Sequence, residues 1–154
     1  MFTGKTRPQD AIDSTPTPDS ISVLLSMMME EVFSAASSEQ SKTFLASVGQ
    51  RLAGLAPLVN LKLADDIEFA MNSVWSMMGW GQVSFTLDDG GIDITHHFPP
   101  TTAEGLAQIP WTRAMPPLLE GAYGAWFGSL SGNNDLKTWV TAVLPSRIEL
   151  RHAP

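Results

Sequence analysis

The sequence predicts an α+β fold: three N-terminal helices, a β-hairpin, a further helix, and C-terminal strands that form a small antiparallel sheet. Three observations carry this expectation. Apolar residues recur at helical spacing from Ser20 to Met78. The period then changes to two, with Val83, Phe85 and Leu87 alternating with Gln82, Ser84 and Thr86. The string Asp88-Asp89-Gly90-Gly91 has the composition of a tight hairpin turn, because glycine supplies the positive φ such turns need.

Each element has its own signal. Ile21, Leu24, Leu25, Met28, Val32 and Ala36 form the stripe of a helix over Ser20–Ala36, capped by Asp19 or Ser20. Phe44, Leu45, Val48, Leu52 and Leu55 line a second helix over Ser38–Leu55, which Pro57 stops. A third helix, Leu61–Met78, carries Asp65 and Asp66 near its first turn, where the helix dipole favours anions. Ile92, Ile94 and His96 continue the pattern on the returning strand. Pro99–Pro117 reads as a loop, with Thr101 and Glu104 placed as a short helix's capping box. The next helix is expected from Pro116, with proline in its first turn, to Ser129. Strands over Lys137–Leu144 and Ser146–Arg151 close the chain, separated by Pro145.

The chain has 154 residues, one domain's worth. Residues 1–19 hold Pro8, Pro16 and Pro18 among polar residues and read as a flexible N-terminal arm, leaving 20–154 as a single domain. The polar, proline-interrupted start is not expected to be a signal peptide. No stretch approaches the roughly 20 apolar residues of a membrane span. The expectation is a soluble cytoplasmic protein that does not insert into a membrane.

A formal net charge of −7 with nine Lys or Arg and no basic run argues against nucleic acid, whose binding rests on phosphate contacts. With no cysteine, there is no disulfide, thiolate metal site or cysteine nucleophile. His96 and His97 are adjacent, so on a strand they face opposite ways and do not share a metal; His152 is expected in solvent. No catalytic residue, cofactor or metal site is expected.

The helix around Pro116–Ser129 is the most informative segment. Leu119, Ala122, Tyr123 and Trp126 fall on one face, which suits a core; Gly121, Gly124 and Gly128 fall on the other. Each helical glycine costs about 0.8–1 kcal/mol relative to alanine, so three need a reason. A bare face that lets another backbone approach closely supplies one, whether that backbone belongs to another subunit or to another helix of this chain. Among the tryptophans, Trp75 and Trp126 read as core, and Trp111, in the proline-rich loop, reads as the one most open to a ligand or partner.

Three strings resemble the cellulose synthase operon protein D family: Val48-Gly49-Gln50-Arg51-Leu52-Ala53-Gly54, Met78-Gly79-Trp80-Gly81-Gln82-Val83, and Pro117-Leu118-Leu119-Glu120-Gly121-Ala122-Tyr123-Gly124-Ala125-Trp126. The last is the most specific. The resemblance covers Ile21 to Phe127, and the tail before Ser20 does not match. It implies a non-catalytic accessory subunit of a bacterial cellulose synthase complex. In such a family, dimers assemble into a cylindrical octamer that guides nascent β-1,4-glucan chains for ordered export and crystallisation. The implied partners are a second copy, β-1,4-glucan, the membrane synthase and other operon accessory proteins, on the cytoplasmic side near the inner-membrane synthase. The resemblance makes Gly79, Trp80, Gly81, Leu119, Glu120, Gly121, Tyr123, Gly124, Trp126 and Gly128 structural or interface residues. It leaves the glucan-contacting residues unknown.

Two readings from other classes stand beside it. One is a small acidic secretion chaperone that holds an unfolded partner segment on apolar grooves. The other is a glycan hydrolase built on a carboxylate pair drawn from Asp65, Asp66, Glu68, Asp88, Asp89 and Glu120. Asp65 and Asp66 are more simply helix-start residues, Asp88 and Asp89 turn residues, and Glu120 a partner for a backbone group or a neighbouring subunit.

Overall fold

The structure is a computed structural model and describes residues 20–100 and 111–154. The expected arm over residues 1–19 and the expected capping box at Thr101 and Glu104 lie outside the described residues. The element order is α1 (Ser20–Ala35), α2 (Ser38–Ala53), α3 (Ala64–Met78), β1 (Gln82–Asp88), β2 (Gly91–His97), α4 (Trp111–Ser131), β3 (Lys137–Leu144) and β4 (Arg147–Ala153). This is the predicted α+β class.

Local chemistry explains the boundaries. Ser37 caps α2: its hydroxyl accepts from the Gln40 N–H while the Gln40 side chain accepts from the Ser37 N–H. This reciprocal pair satisfies two donors that a helix start otherwise leaves orphaned. Gly79 ends α3 in the left-handed conformation, φ 68°, which costs glycine nothing. Gly81 follows at φ 88°, and a side chain there would strike the backbone of His97 and Phe98. The helix-to-strand break therefore depends on two glycines around Trp80.

The four strands form one antiparallel sheet in the order β1-β2-β4-β3. Alternate residues of its inner face are buried: Val83, Ile94, His96, Ile148, Leu150 and His152. The outer face is polar, and there Arg151 bonds Asp88 and Asp93 at 2.6–2.8 Å. The Asp88 carboxylate also accepts the Gly90 and Gly91 N–H groups, so the turn and the ion pair brace one another. Arg151 above all, and then the Gly90 N–H, hold the Asp88 carboxyl well below the usual carboxylate range.

α4 lies between the sheet and α2, with α3 against its side. Trp111, Ala114, Met115, Leu118, Leu119 and Ala122 are buried along it, as are Tyr123, Trp126 and Phe127 further on. A helix that is apolar nearly all round belongs in an interior.

Two boundaries correct the expectation from sequence. α4 starts at Trp111 rather than at Pro116, so Pro116 and Pro117 sit inside the helix and two backbone hydrogen bonds are forgone. Burial of Trp111, Ala114 and Met115 holds the extra turn in place. Strand β4 continues past Arg151 to Ala153, because its end pairs with both β2 and β3: Ile92 faces His152, and Thr138 faces His152 from the other side. That burial overturns the expectation of a solvated His152.

Candidate functional site

The three family-like strings converge in space. Gly49 of α2 lies against the backbone of Leu118 and Ala122, and Gly121 of α4 lies against the backbone of Ala46. A methyl group at either glycine would collide with main chain, so α2 and α4 meet at backbone distance. The middle string enters through Trp80, whose carbonyl oxygen faces His96 Nε2 at 2.7 Å.

His96 and Tyr123 form the polar centre of this junction. A carbonyl only accepts, so His96 Nε2 carries the proton and donates to Trp80. His96 Nδ1 therefore accepts from the Tyr123 hydroxyl at 2.6 Å. Both side chains are fully buried. Burial pushes the imidazole down to about 4, against a lesser opposing effect from the Trp80 carbonyl. Burial likewise pushes the Tyr123 phenol well above its usual value. The Trp75 ring stands edge-on to His96 at 4.9 Å and to Trp126 at 5.6 Å. Trp126 Nε1 donates to the Ala56 carbonyl at 3.0 Å, tying α4 to the segment after α2.

Leu119 is buried in the same core. Glu120 is turned to the sheet, where Oε1 accepts the Val140 N–H at 3.0 Å. The glycines of α4 do not share one neighbour. Gly121 meets α2, Gly124 faces Thr138 of β3 at van der Waals distance, and Gly128 faces open space. Trp111 is largely buried against Trp80, ring centroids 5.2 Å apart, which corrects the expectation of an exposed loop tryptophan. The proline-rich stretch around it is helix at that point, and the turn carries the indole inward. His97 is half-buried and pairs with Ser84 at 3.1 Å, while His96 points the other way, into the core.

Two side chains that brace the sheet carry no signal in the sequence. Asn72 on α3 clips strand β1: Oδ1 accepts the Val83 N–H at 2.7 Å and Nδ2 donates to the Val83 carbonyl at 3.0 Å. Thr138 holds His152 Nδ1 at 2.7 Å, while His152 Nε2 is buried with no protein partner among the described residues. Burial holds that imidazole below its usual value.

Two clefts flank the junction. One, of about 440 Å³, opens between α1, α2 and the start of α4, and its wall is apolar apart from Glu31. The other, of about 490 Å³, lies between the start of α3, the β1–β2 turn and the end of α4, with Lys62, Asp88, Asp89 and His152 among its lining. Among the described residues, no group of three His, Cys, Asp or Glu is placed to hold a metal. Nor is any helix among them long and apolar enough to cross a membrane.

The polar side chains of the most specific string thus bond within the fold: Glu120 to the Val140 N–H, Tyr123 to His96 and Trp126 to the Ala56 carbonyl. Comparison with known proteins places the chain further. The family model for the D subunit of cellulose synthase matches residues 13–153, and the chain belongs to that family. The match extends beyond the three strings at both ends. A cellulose synthase operon protein D of Komagataeibacter xylinus is 30% identical over 119 residues, covering 75% of this chain and 73% of the relative. The protein of that name from Komagataeibacter sucrofermentans has the same figures. A second from Komagataeibacter xylinus is 33% identical over 70 residues, 44% of each chain. Membership of this family supports a role in cellulose synthesis.

Proposed function

We propose that the chain is a non-catalytic accessory component of a bacterial cellulose synthase complex. Its dimers assemble into an octamer that guides or organises nascent β-1,4-glucan chains for ordered export and crystallisation. It works on the cytoplasmic side, beside the inner-membrane synthase and the other operon accessory proteins, with residues 20–154 as the assembling domain and 1–19 as its arm.

The observation that carries this reading is where the family's most specific string goes. Its carboxylate, Glu120, accepts a backbone N–H, and its phenol, Tyr123, is bonded to His96. The groups a catalyst would offer to a substrate are committed to holding the fold. A sliding polymer is served by weak, water-mediated contacts rather than by a deep site that would stall it. The family match over residues 13–153 favours this reading over a secretion chaperone.

The absolute mass of the purified protein, measured by light scattering at several concentrations, tests the assembly. A concentration-independent octamer is expected. A stable monomer or simple dimer would remove the multi-subunit passage and bring the chaperone reading forward.

A further inference from the structure

The cleft between the start of α3, the β1–β2 turn and the end of α4 joins an apolar wall to a polar atom that lacks a partner. Its volume, about 490 Å³, lies within the ~300–1,000 Å³ of small-molecule sites. The wall is apolar where Phe85, Leu87 and Leu130 stand. Leu87 and Leu130 are 66% and 37% exposed, so their apolar surface is open to a ligand. Phe85 stands edge-on to Phe127 at 5.2 Å, which fixes the aromatic side of the wall.

His152 supplies the polar part. It belongs to the lining and is 3% exposed. Nδ1 bonds Thr138 at 2.7 Å, and the Phe127 ring lies 5.6 Å from the imidazole, so the ring cannot turn to find another partner. Nε2 is left buried with no protein partner among the described residues. Native proteins seldom leave a buried polar atom so. The need does not depend on the tautomer. A protonated Nε2 lacks an acceptor and an unprotonated one lacks a donor; a hydroxyl group can serve as either. Charges of both signs stand on the rim: Lys62, Asp89, and an Asp88 already bonded by Arg151. A rim of mixed sign favours neither an anion nor a cation, and suits an uncharged ligand.

We propose that this cleft binds one pyranose ring of an uncharged sugar. Such a ring has an apolar C–H face, which meets Phe85, Leu87 and Leu130, and an edge of hydroxyl groups, one of which bonds His152 Nε2. Lys62 and Asp89 meet other hydroxyls at the mouth. Nε2 is covered, so the hydroxyl reaches it as the half-exposed Leu130, at the end of α4, turns aside. Two sources offer such a ring, a free monosaccharide and the end of a β-1,4-glucan chain. The site lies within one subunit, and it does not rest on the assembly proposed above.

Full-length protein labelled at its Ile and Leu methyl groups is titrated with glucose and, separately, with cellotriose, and followed by methyl resonances. Saturable shifts are expected at Leu87, Ile92 and Leu130, with Leu24 of α1 unmoved. His152→Phe keeps a ring but removes the nitrogen, and should weaken binding about tenfold. Leu87→Glu changes an exposed side chain, so it should keep the wild-type circular dichroism and also weaken binding about tenfold. Met28→Glu, in the other cleft, should bind as the wild type does. Tighter binding of cellotriose than of glucose identifies the end of a glucan chain as the source; equal binding identifies a free sugar. No saturable shift with either sugar, or full binding by Leu87→Glu or by a folded His152→Phe, would overturn the site and leave a buried water as the partner of that nitrogen. Light scattering on the same samples separates this outcome from assembly, since an octamer that binds neither sugar sinks the site alone.

Discussion

Protonation of His96 should destabilise this domain in mild acid. The buried imidazole donates to the Trp80 carbonyl and accepts from Tyr123, so a second proton has no acceptor prepared for it. Its pKa falls from 6.5 to about 4, chiefly because burial disfavours the charged form. The unfolded chain therefore binds this proton more readily than the folded one. Stability is complete above pH 6.5, declines as the pH falls below that value, and stops declining on this account below about 4. At about 1.36 kcal/mol per pKa unit, the loss is about 1.4 kcal/mol at pH 5.5 and about 2.5 kcal/mol at pH 4.5. His152 is shifted in the same direction and adds to the slope. Asp88 does not overlap with this window: its carboxyl is depressed from 3.8, so its stabilisation is lost only at lower pH. Urea unfolding at fixed protein concentration, repeated from pH 8 to 4.5, reads the effect directly. His96→Gln is expected to be less stable at pH 8 but to lose stability less steeply on acidification. A wild-type curve flat over this range, or an unchanged slope in the variant, would refute the reasoning.

Other substitutions probe the packing around this centre. Gly121→Ala places a methyl on the Ala46 backbone and should cost about 1–3 kcal/mol or more in urea unfolding. Gly128→Ala meets nothing and should stabilise by about 0.8–1 kcal/mol. Glu120→Ala strips the Val140 N–H of its acceptor and should cost about 1–3 kcal/mol, while Glu120→Gln, which keeps a carbonyl oxygen, should cost less. Asn72→Ala should lower hydrogen-exchange protection of the Val83 amide more than that of Ile94, since Asn72 bonds only the first of these strands.

Much of this fold is legible in the residues. The alternation from Val83 to Leu87 and the Asp88–Gly91 turn define the hairpin, because a half-buried strand must alternate and a tight turn needs glycine. The helical stripes place α1, α2 and α3 to within a few residues. What stays hidden depends on the three-dimensional environment. Pro116 and Pro117 read as a helix start because local propensity favours them there, yet burial of Trp111 and Met115 carries α4 a turn further back. His152 reads as a solvated terminal residue, and only its pairing with two strands buries it. The glycine spacing of α4 announces close packing but cannot name the neighbour; Gly121 finds α2 and Gly124 finds Thr138. The His96–Tyr123 bond spans 27 positions and the Asn72 clip 11, separations that no local pattern records.

The most direct measurement of the central claim is complementation of a cellulose-producing strain that lacks its own cellulose synthase operon protein D. Restored cellulose yield and crystalline order, with no reducing sugar released from glucan by the purified protein, is the predicted result. Failure to restore either property by a folded, expressed protein, or glucan hydrolysis that disappears in Glu120→Gln, would contradict a non-catalytic scaffold for cellulose synthesis.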